Sequence, residues 1–205
     1  IFRIIGRIAF PIFAFLAAEG AKKSSNVRFY LLRLFICGIV SEIPFDLMIS
    51  GKIFWLDYQN VCFTLFFGVL SSVIYSKLTV RKAWYIRILG VLGSLVPIVL
   101  AGLLSTDYGA AGAALTLLFF VANGSKPMQA LVFIFINTCM CMPSSGFDLS
   151  QIFSRTQMYG LLALPFILLY NGEKYPRAKT FLGRYAFYLF YPFHMLIIWF
   201  ISILV

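Results

Sequence analysis

Apolar residues run through this chain in long blocks broken by short polar stretches. The blocks fall at approximately 1–21, 28–50, 60–76, 84–104, 107–122, 127–142, 151–170 and 185–205. A helix needs about 20 predominantly apolar residues to cross a hydrocarbon core about 30 Å thick. The pattern therefore predicts an all-α polytopic membrane protein with about eight transmembrane helices, in a single domain over residues 1–205. Between the fifth and sixth blocks, Asn123-Gly124-Ser125-Lys126-Pro127 is a run of breaker residues that predicts a tight helical hairpin.

The polar stretches are strongly sorted by charge. Those after the first, third, fifth and seventh blocks hold twelve lysines and arginines, from Lys22, Lys23 and Arg28 to Lys174, Arg177, Lys179 and Arg184. The stretches between them hold two, Lys52 and Arg155. An excess of Lys and Arg marks the cytoplasmic side, so the chain as given is expected to start and end outside. Its first residue is Ile1, in an apolar run that contains Arg3 and Arg7 and lacks the order of a signal peptide. An outside start without a leader is what an omitted upstream helix would produce, and one more helix before Ile1 is expected.

Composition sharpens the class. Only 12% of residues are charged, against about 25% in a soluble domain, which leaves no room for a separate soluble domain. The net charge of +10 is accounted for by orienting loops, so no nucleic-acid partner is expected. Cys37, Cys62, Cys139 and Cys141 all fall in apolar runs without C-x-x-C spacing. They read as small core residues, not as a disulfide framework or a metal site. No P-loop or G-x-G-x-x-G is present.

The candidate chemistry lies in the ionisable residues inside the blocks. The single histidine, His194, follows Arg184 by ten residues in a stretch with no other charge. That is about 15 Å into the membrane, near the midplane, where an ionisable group is a functional candidate by default. Pro192 removes the helical partner of the Tyr188 carbonyl and predicts a kink beside the imidazole. The plainer reading is a histidine that only bonds a neighbouring helix. Arg7 sits about 10 Å in from the outer face. Glu42 and Asp46 share one helix face, with Pro44 between them, and either carboxylate is the expected partner for Arg7. Such a pair serves helix packing as readily as function. Asn60, Asp107 and Tyr108 lie at or near outer ends. Glu19, beside Lys22 and Lys23, reads as a solvated interfacial carboxylate, and Arg33 as a residue that snorkels to the interface. The basic inner face, including Arg81 and Lys82, suits anionic lipid head groups or the phosphates of a soluble cofactor.

Three stretches then meet a family. Gly6-Arg7-Ile8-Ala9-Phe10-Pro11-Ile12-Phe13-Ala14, Asp107-Tyr108-Gly109-Ala110-Ala111-Gly112, and Phe187-Tyr188 through Tyr191-Pro192-Phe193-His194 together resemble the TraX family of conjugative pilin N-acetylases. Ser41 to Asp46 followed by Gln59-Asn60-Val61 is similar to its shorter, Gram-positive-type branch. The resemblance implies a multi-pass enzyme of the bacterial inner membrane, related to the transmembrane acyltransferases. It would move an acetyl group from cytoplasmic acetyl-CoA to an amine or hydroxyl acceptor, either a pilin-like peptide or another cell-envelope molecule. Similar proteins carry an additional first helix with an Asp-His pair, which would supply a main catalytic base and leave His194 as a second active-site residue.

Acyl transfer needs an activated acceptor and a stabilised oxyanion. A neutral His194 would take the acceptor's proton, and Arg7 or the hydroxyls of Tyr108 and Tyr191 would donate to the thioester oxygen. Glu42, Asp46, Asn60 and Tyr191 would hold the acceptor. Lys22, Lys23, Arg81 and Lys82 would hold the CoA nucleotide, while no metal is expected. Direct transfer and an acyl-histidine intermediate both fit. A carrier or lipid flippase also uses midplane ionisable residues and broken helices, but the eight blocks show no obvious inverted repeat. A non-catalytic assembly factor is the third class.

Overall fold

A computed structural model describes residues 2–142, 155–173 and 181–204. Six α-helices come first: α1 Phe2–Lys23, α2 Val27–Ser50, α3 Val61–Thr79, α4 Trp84–Leu103, α5 Gly109–Val121 and α6 Lys126–Cys141. A 3₁₀ segment, Thr156–Ala163, runs into the short α7, Leu164–Leu169, and α8 spans Phe181–Leu204. Among the described residues there is no strand, only an isolated bridge between Gln59 and Thr106. The all-α class holds. By length and composition, three helices are long and apolar enough to cross a membrane, at Ile4–Lys23, Val61–Thr79 and Trp84–Leu103. Four shorter apolar helical stretches accompany them, at Gly109–Val121, Lys126–Cys141, Thr156–Leu169 and Tyr188–Ile203. These are the features of a membrane protein.

The packing centres on α3, which meets α2, α4, α5 and α1. Small residues allow that crowding. A Cβ on Gly68 would stand 2.5 Å from Cβ of Thr116, so α3 and α5 approach through a bare backbone. On one flank α1 packs against α5 and the 3₁₀ segment; on the other, α8 docks on α2.

The seventh apolar block departs from the expected regular helix. Pro165 has no N–H to donate to the Leu161 carbonyl, and the Leu164 N–H donates there instead, one residue earlier. Tight packing at Gly160 matches this narrower helix, because a Cβ there would stand 2.8 Å from Oδ1 of Asn137 and 3.2 Å from the Arg7 carbonyl. The start of that block, and Lys174, Arg177 and Lys179, lie outside the described residues. The predicted hairpin turn between α5 and α6 is present, with Gly124 at φ +96°.

One end of the bundle is tied by lysines. Lys23 pairs with Glu19 at 2.7 Å and donates to the Gly172 carbonyl at 3.1 Å. Asn123 also donates to Glu19, which is buried. Lys126 donates to the carbonyls of Ile167 and Tyr170, at 3.0 and 2.7 Å, capping the end of α7. Glu19 is therefore a buried knot joining α1 to the α5–α6 turn, where a solvated carboxylate was expected.

Candidate functional site

At the opposite end, the α4–α5 turn aims two residues into the bundle. Leu104 to Tyr108 reverse the chain tightly, with Ser105 at φ +50° and the Gly109 N–H donating to the Thr106 carbonyl at 2.7 Å. The Tyr58 hydroxyl donates to Asp107 Oδ1 at 2.7 Å and lies 2.9 Å from the Asp107 carbonyl. It comes from the loop joining α2 to α3. Burial pushes the Asp107 carboxyl above its ordinary value, and the Tyr58 bond and the nearby Arg7 charge only partly offset this. Burial and the Asp107 charge raise the Tyr58 phenol as well.

Tyr108 is the hub of the cluster. The Arg7 guanidinium carbon lies 5.2 Å from the centre of its ring, a cation–π contact. Phe10, one turn along α1 from Arg7, stacks on the same ring with centroids 3.5 Å apart and planes at 6°. The Tyr108 hydroxyl donates to the Gly6 carbonyl at 3.3 Å. Gly112 makes this possible, because a Cβ there would stand 2.5 Å from Cβ of Tyr108 and 2.7 Å from both Phe10 and Thr64. The run Asp107 to Gly112 is thus one device: it presents a carboxyl and a phenol, then clears space for them.

Arg7 does not pair with Glu42 or Asp46. Since α1 packs on α3, α5 and the 3₁₀ segment more than along α2, Arg7 meets the α4–α5 turn instead. Glu42 accepts from both the backbone N–H of Asn60, at 3.0 Å, and its side-chain amide. That amide also donates to the Gly38 carbonyl at 2.8 Å, while Asn60 Oδ1 caps α3 by accepting from the Cys62 N–H at 2.9 Å. Asp46 accepts from the Trp55 N–H at 2.9 Å through Oδ2, and its Oδ1 is buried without a hydrogen bond. The two carboxylates hold the 51–60 loop, which in turn delivers Tyr58.

His194 lies on α8 and is partly buried. Its Nδ1 is 3.0 Å from the Phe190 carbonyl, its ring stacks on Phe190 at 5.0 Å, and the Tyr191 ring meets it at 5.3 Å. A carbonyl only accepts, so Nδ1 is the donor in that contact. These contacts are within its own helix. Tyr191 points inward. Buried at 7% exposure, its hydroxyl nears the Val61 N–H and Cys62 without completing a hydrogen bond of good geometry.

The structure thus brings Arg7 and Tyr108 together, joins Glu42 to Asn60, and leaves His194 to one side. Of the basic residues, Lys22 lies 5.7 Å over the Phe120 ring and Lys23 is engaged by Glu19. Exposed Arg81 and Lys82 line an open cleft of about 510 Å³ with Ser76 and Lys77 at the end of α3. Among the described residues, no group of three or more His, Cys, Asp or Glu is placed to hold a metal. Sequence reasoning missed Tyr58, whose only signal was a tyrosine preceding Gln59-Asn60. It also gave Asp107 no role, although that residue opens a motif already singled out.

No solved structure matches this chain. It is 29% identical over 208 residues, 94% of its own length and 79% of the relative's, to a protein of Dichelobacter nodosus described as "Probable fimbrial assembly protein FimC, serogroup H1". The family described as TraX protein matches residues 1–202, which include Arg7, the Asp107–Gly112 run and His194. With that match running nearly end to end, the chain belongs to the TraX family.

Proposed function

We propose that this protein is a multi-pass acetyltransferase of the bacterial inner membrane, which moves acetyl from cytoplasmic acetyl-CoA to an amine or hydroxyl of a pilin-like or cell-envelope acceptor. The observation that carries the reading is the half-buried Arg7–Asp107–Tyr108–Tyr58 cluster, opposite the lysine-rich end. In it, a guanidinium lies over one phenol ring and a second phenol is bonded to the neighbouring carboxyl, all of them partly withdrawn from solvent. Such groups stabilise the negative oxygen that forms as a thioester carbonyl is attacked, because they are already oriented when charge develops. Arg7 and Tyr108 donate to that oxygen. Asp107, held by Tyr58, fixes the turn that carries Tyr108. His194 is the general base: with Nδ1 donating to the Phe190 carbonyl, Nε2 is the ring nitrogen left to take the acceptor's proton. Glu42, Asp46, Asn60 and Tyr191 form the acceptor side, and Lys22, Lys23, Arg81 and Lys82 attract the phosphates of CoA by charge.

The name of the Dichelobacter nodosus relative favours a second reading, an assembly factor for fimbriae that performs no chemistry. Membranes containing the full-length protein separate the two. With acetyl-CoA and a pilin-like peptide, free CoA thiol is expected to appear. His194→Ala should lower its rate by about 10²–10⁴-fold at an unchanged protein level. A tight complex with the peptide and no release of CoA thiol would instead support the assembly factor.

A further inference from the structure

Two thiols that the sequence placed in the hydrophobic filling meet inside the bundle. Cys37 of α2 and Cys62 of α3 are buried, at 7% and 4% exposure, with their sulfurs 3.4 Å apart. Cys37 also lies 3.9 Å from the Ser41 hydroxyl and 3.7 Å from the carbonyl of Tyr188. That carbonyl, four residues before Pro192 on α8, is an acceptor within reach of the thiol. Cys62 stands in the first turn of α3, where its N–H donates to the capping Asn60 side chain. Tyr191, whose buried hydroxyl lacks a hydrogen bond, borders the same pair.

An apolar space lies beside the pair, toward the lysine-rich side. An apolar cavity of about 210 Å³ opens between α1, α2, α3 and α8, lined by Phe13, Ala17, Tyr30, Leu34, Leu65 and Tyr188. Leu34 is three residues before Cys37, and Leu65 is three after Cys62, so each shares a helix face with its cysteine. The cavity is thus lined one helical turn away from each thiol. Along α1, Arg7 and Lys23 are sixteen residues apart, about 24 Å. Cys37 lies ten residues into α2 from its lysine-side end, about 15 Å.

We propose that Cys37 is a covalent acetyl relay, assisted by Cys62 and Tyr191, between the acetyl-CoA side and the acceptor side. This rests on the acetyltransferase reading. In the first step the Cys37 sulfur attacks the thioester carbonyl carbon, the bond from that carbon to the CoA sulfur breaks, and the Cys37 proton leaves with CoA as its thiol. In the second, the acceptor nitrogen or oxygen attacks the acetyl carbon, the bond to Cys37 breaks, and the acceptor's proton returns to the Cys37 sulfur through His194. Tyr191 donates to the carbonyl oxygen as Cys37 attacks, and Arg7 and Tyr108 do so as the acceptor attacks the acetyl-Cys37 thioester. One thioester is exchanged for another, so no oxidant or reductant is required.

The test uses the full-length protein in membranes, with acetyl-labelled acetyl-CoA and no acceptor. The expected result is label on the protein that hydroxylamine removes and peptide mass spectrometry assigns to Cys37, and that passes to a pilin-like peptide added afterwards. Cys37→Ala should reduce transfer roughly a hundredfold or more, as loss of a nucleophile does. His194→Ala should keep the protein label and lose the second transfer. Full transfer by a Cys37→Ala, Cys62→Ala double variant would overturn the relay and leave the acetyltransferase standing. If the unmodified protein consumes no acetyl-CoA at all, both readings fall together.

Discussion

Asp107 answers to two opposing forces. Burial favours its neutral form, while the Tyr58 hydroxyl and the Arg7 charge favour the carboxylate, and burial is the larger effect. Its folded-state value therefore lies above the roughly 3.9 of an unfolded chain. A proton bound more tightly in the folded state stabilises that state fully below about pH 3.9, and this contribution is lost as pH rises through the raised value. Thermal unfolding in detergent should accordingly show the unmodified protein losing stability upward from about pH 4 relative to Asp107→Asn. Parallel curves for the two proteins would mean that Asp107 is no more protonated folded than unfolded. Asn60 is a second decisive residue, fully buried and bonded to Gly38, Glu42 and Cys62 at once. Asn60→Ala removes a helix cap worth about 1 kcal/mol and strands buried partners at about 1–3 kcal/mol. Denaturation should register a loss in that combined range, and a loss under about 0.5 kcal/mol would show that water replaces the amide.

Between elements, the decisive fit is α5 against α1 and α3 at Gly112. Gly112→Ala must push Tyr108, Phe10 or Thr64 aside, and such overpacking typically costs about 1–3 kcal/mol. Because Tyr108 is the nearest of the three, at 2.5 Å, activity is expected to fall further than stability does. An alanine variant with normal acetyl transfer would detach that tyrosine from the chemistry. This element was legible in part. The run from Tyr108 to Ala114 is made mostly of glycine and alanine, the composition of a close-packing helix surface, and it packs as one. Its partners were not readable, since Phe10 lies 102 residues and Thr64 48 residues before Gly112, and both sit in apolar blocks whose faces no periodicity fixes. The 3₁₀ turn at Gly160 escaped for a related reason. Hydropathy reports that a block is apolar, whereas Pro165 and the crowding at Asn137 decide how tightly it winds.

At the scale of the whole molecule, the sequence already carried the all-α class, the basic sorting of the ends and the family. Its order of spans is the order of helices, because apolar blocks separated by breakers can form little else in lipid. Pairings across the bundle were less readable. Arg7 was expected beside Glu42 or Asp46 and lies instead beside Asp107 and Tyr108, since charge alone does not say which helices touch. The cysteine pair was hidden in the same way, twenty-five positions apart in sequence and in contact in space. One consequence of the sorted ends is kinetic. If the exposed Arg81 and Lys82 attract CoA by charge, the KM for acetyl-CoA should rise with salt, and Arg81→Gln with Lys82→Gln should flatten that dependence while leaving kcat unchanged. A salt response unaltered by the double variant would place CoA elsewhere.

The proposed role of the half-buried Arg7 cluster is to stabilise an acetyl-transfer transition state. Its most direct test is the intact mass of a pilin-like acceptor after incubation with acetyl-CoA and membranes holding the full-length protein. The unmodified protein should add one acetyl group, and Arg7→Gln, present at the same level in the membrane, should slow that addition by about 10²–10³-fold. Equal acetylation by both proteins would contradict the account.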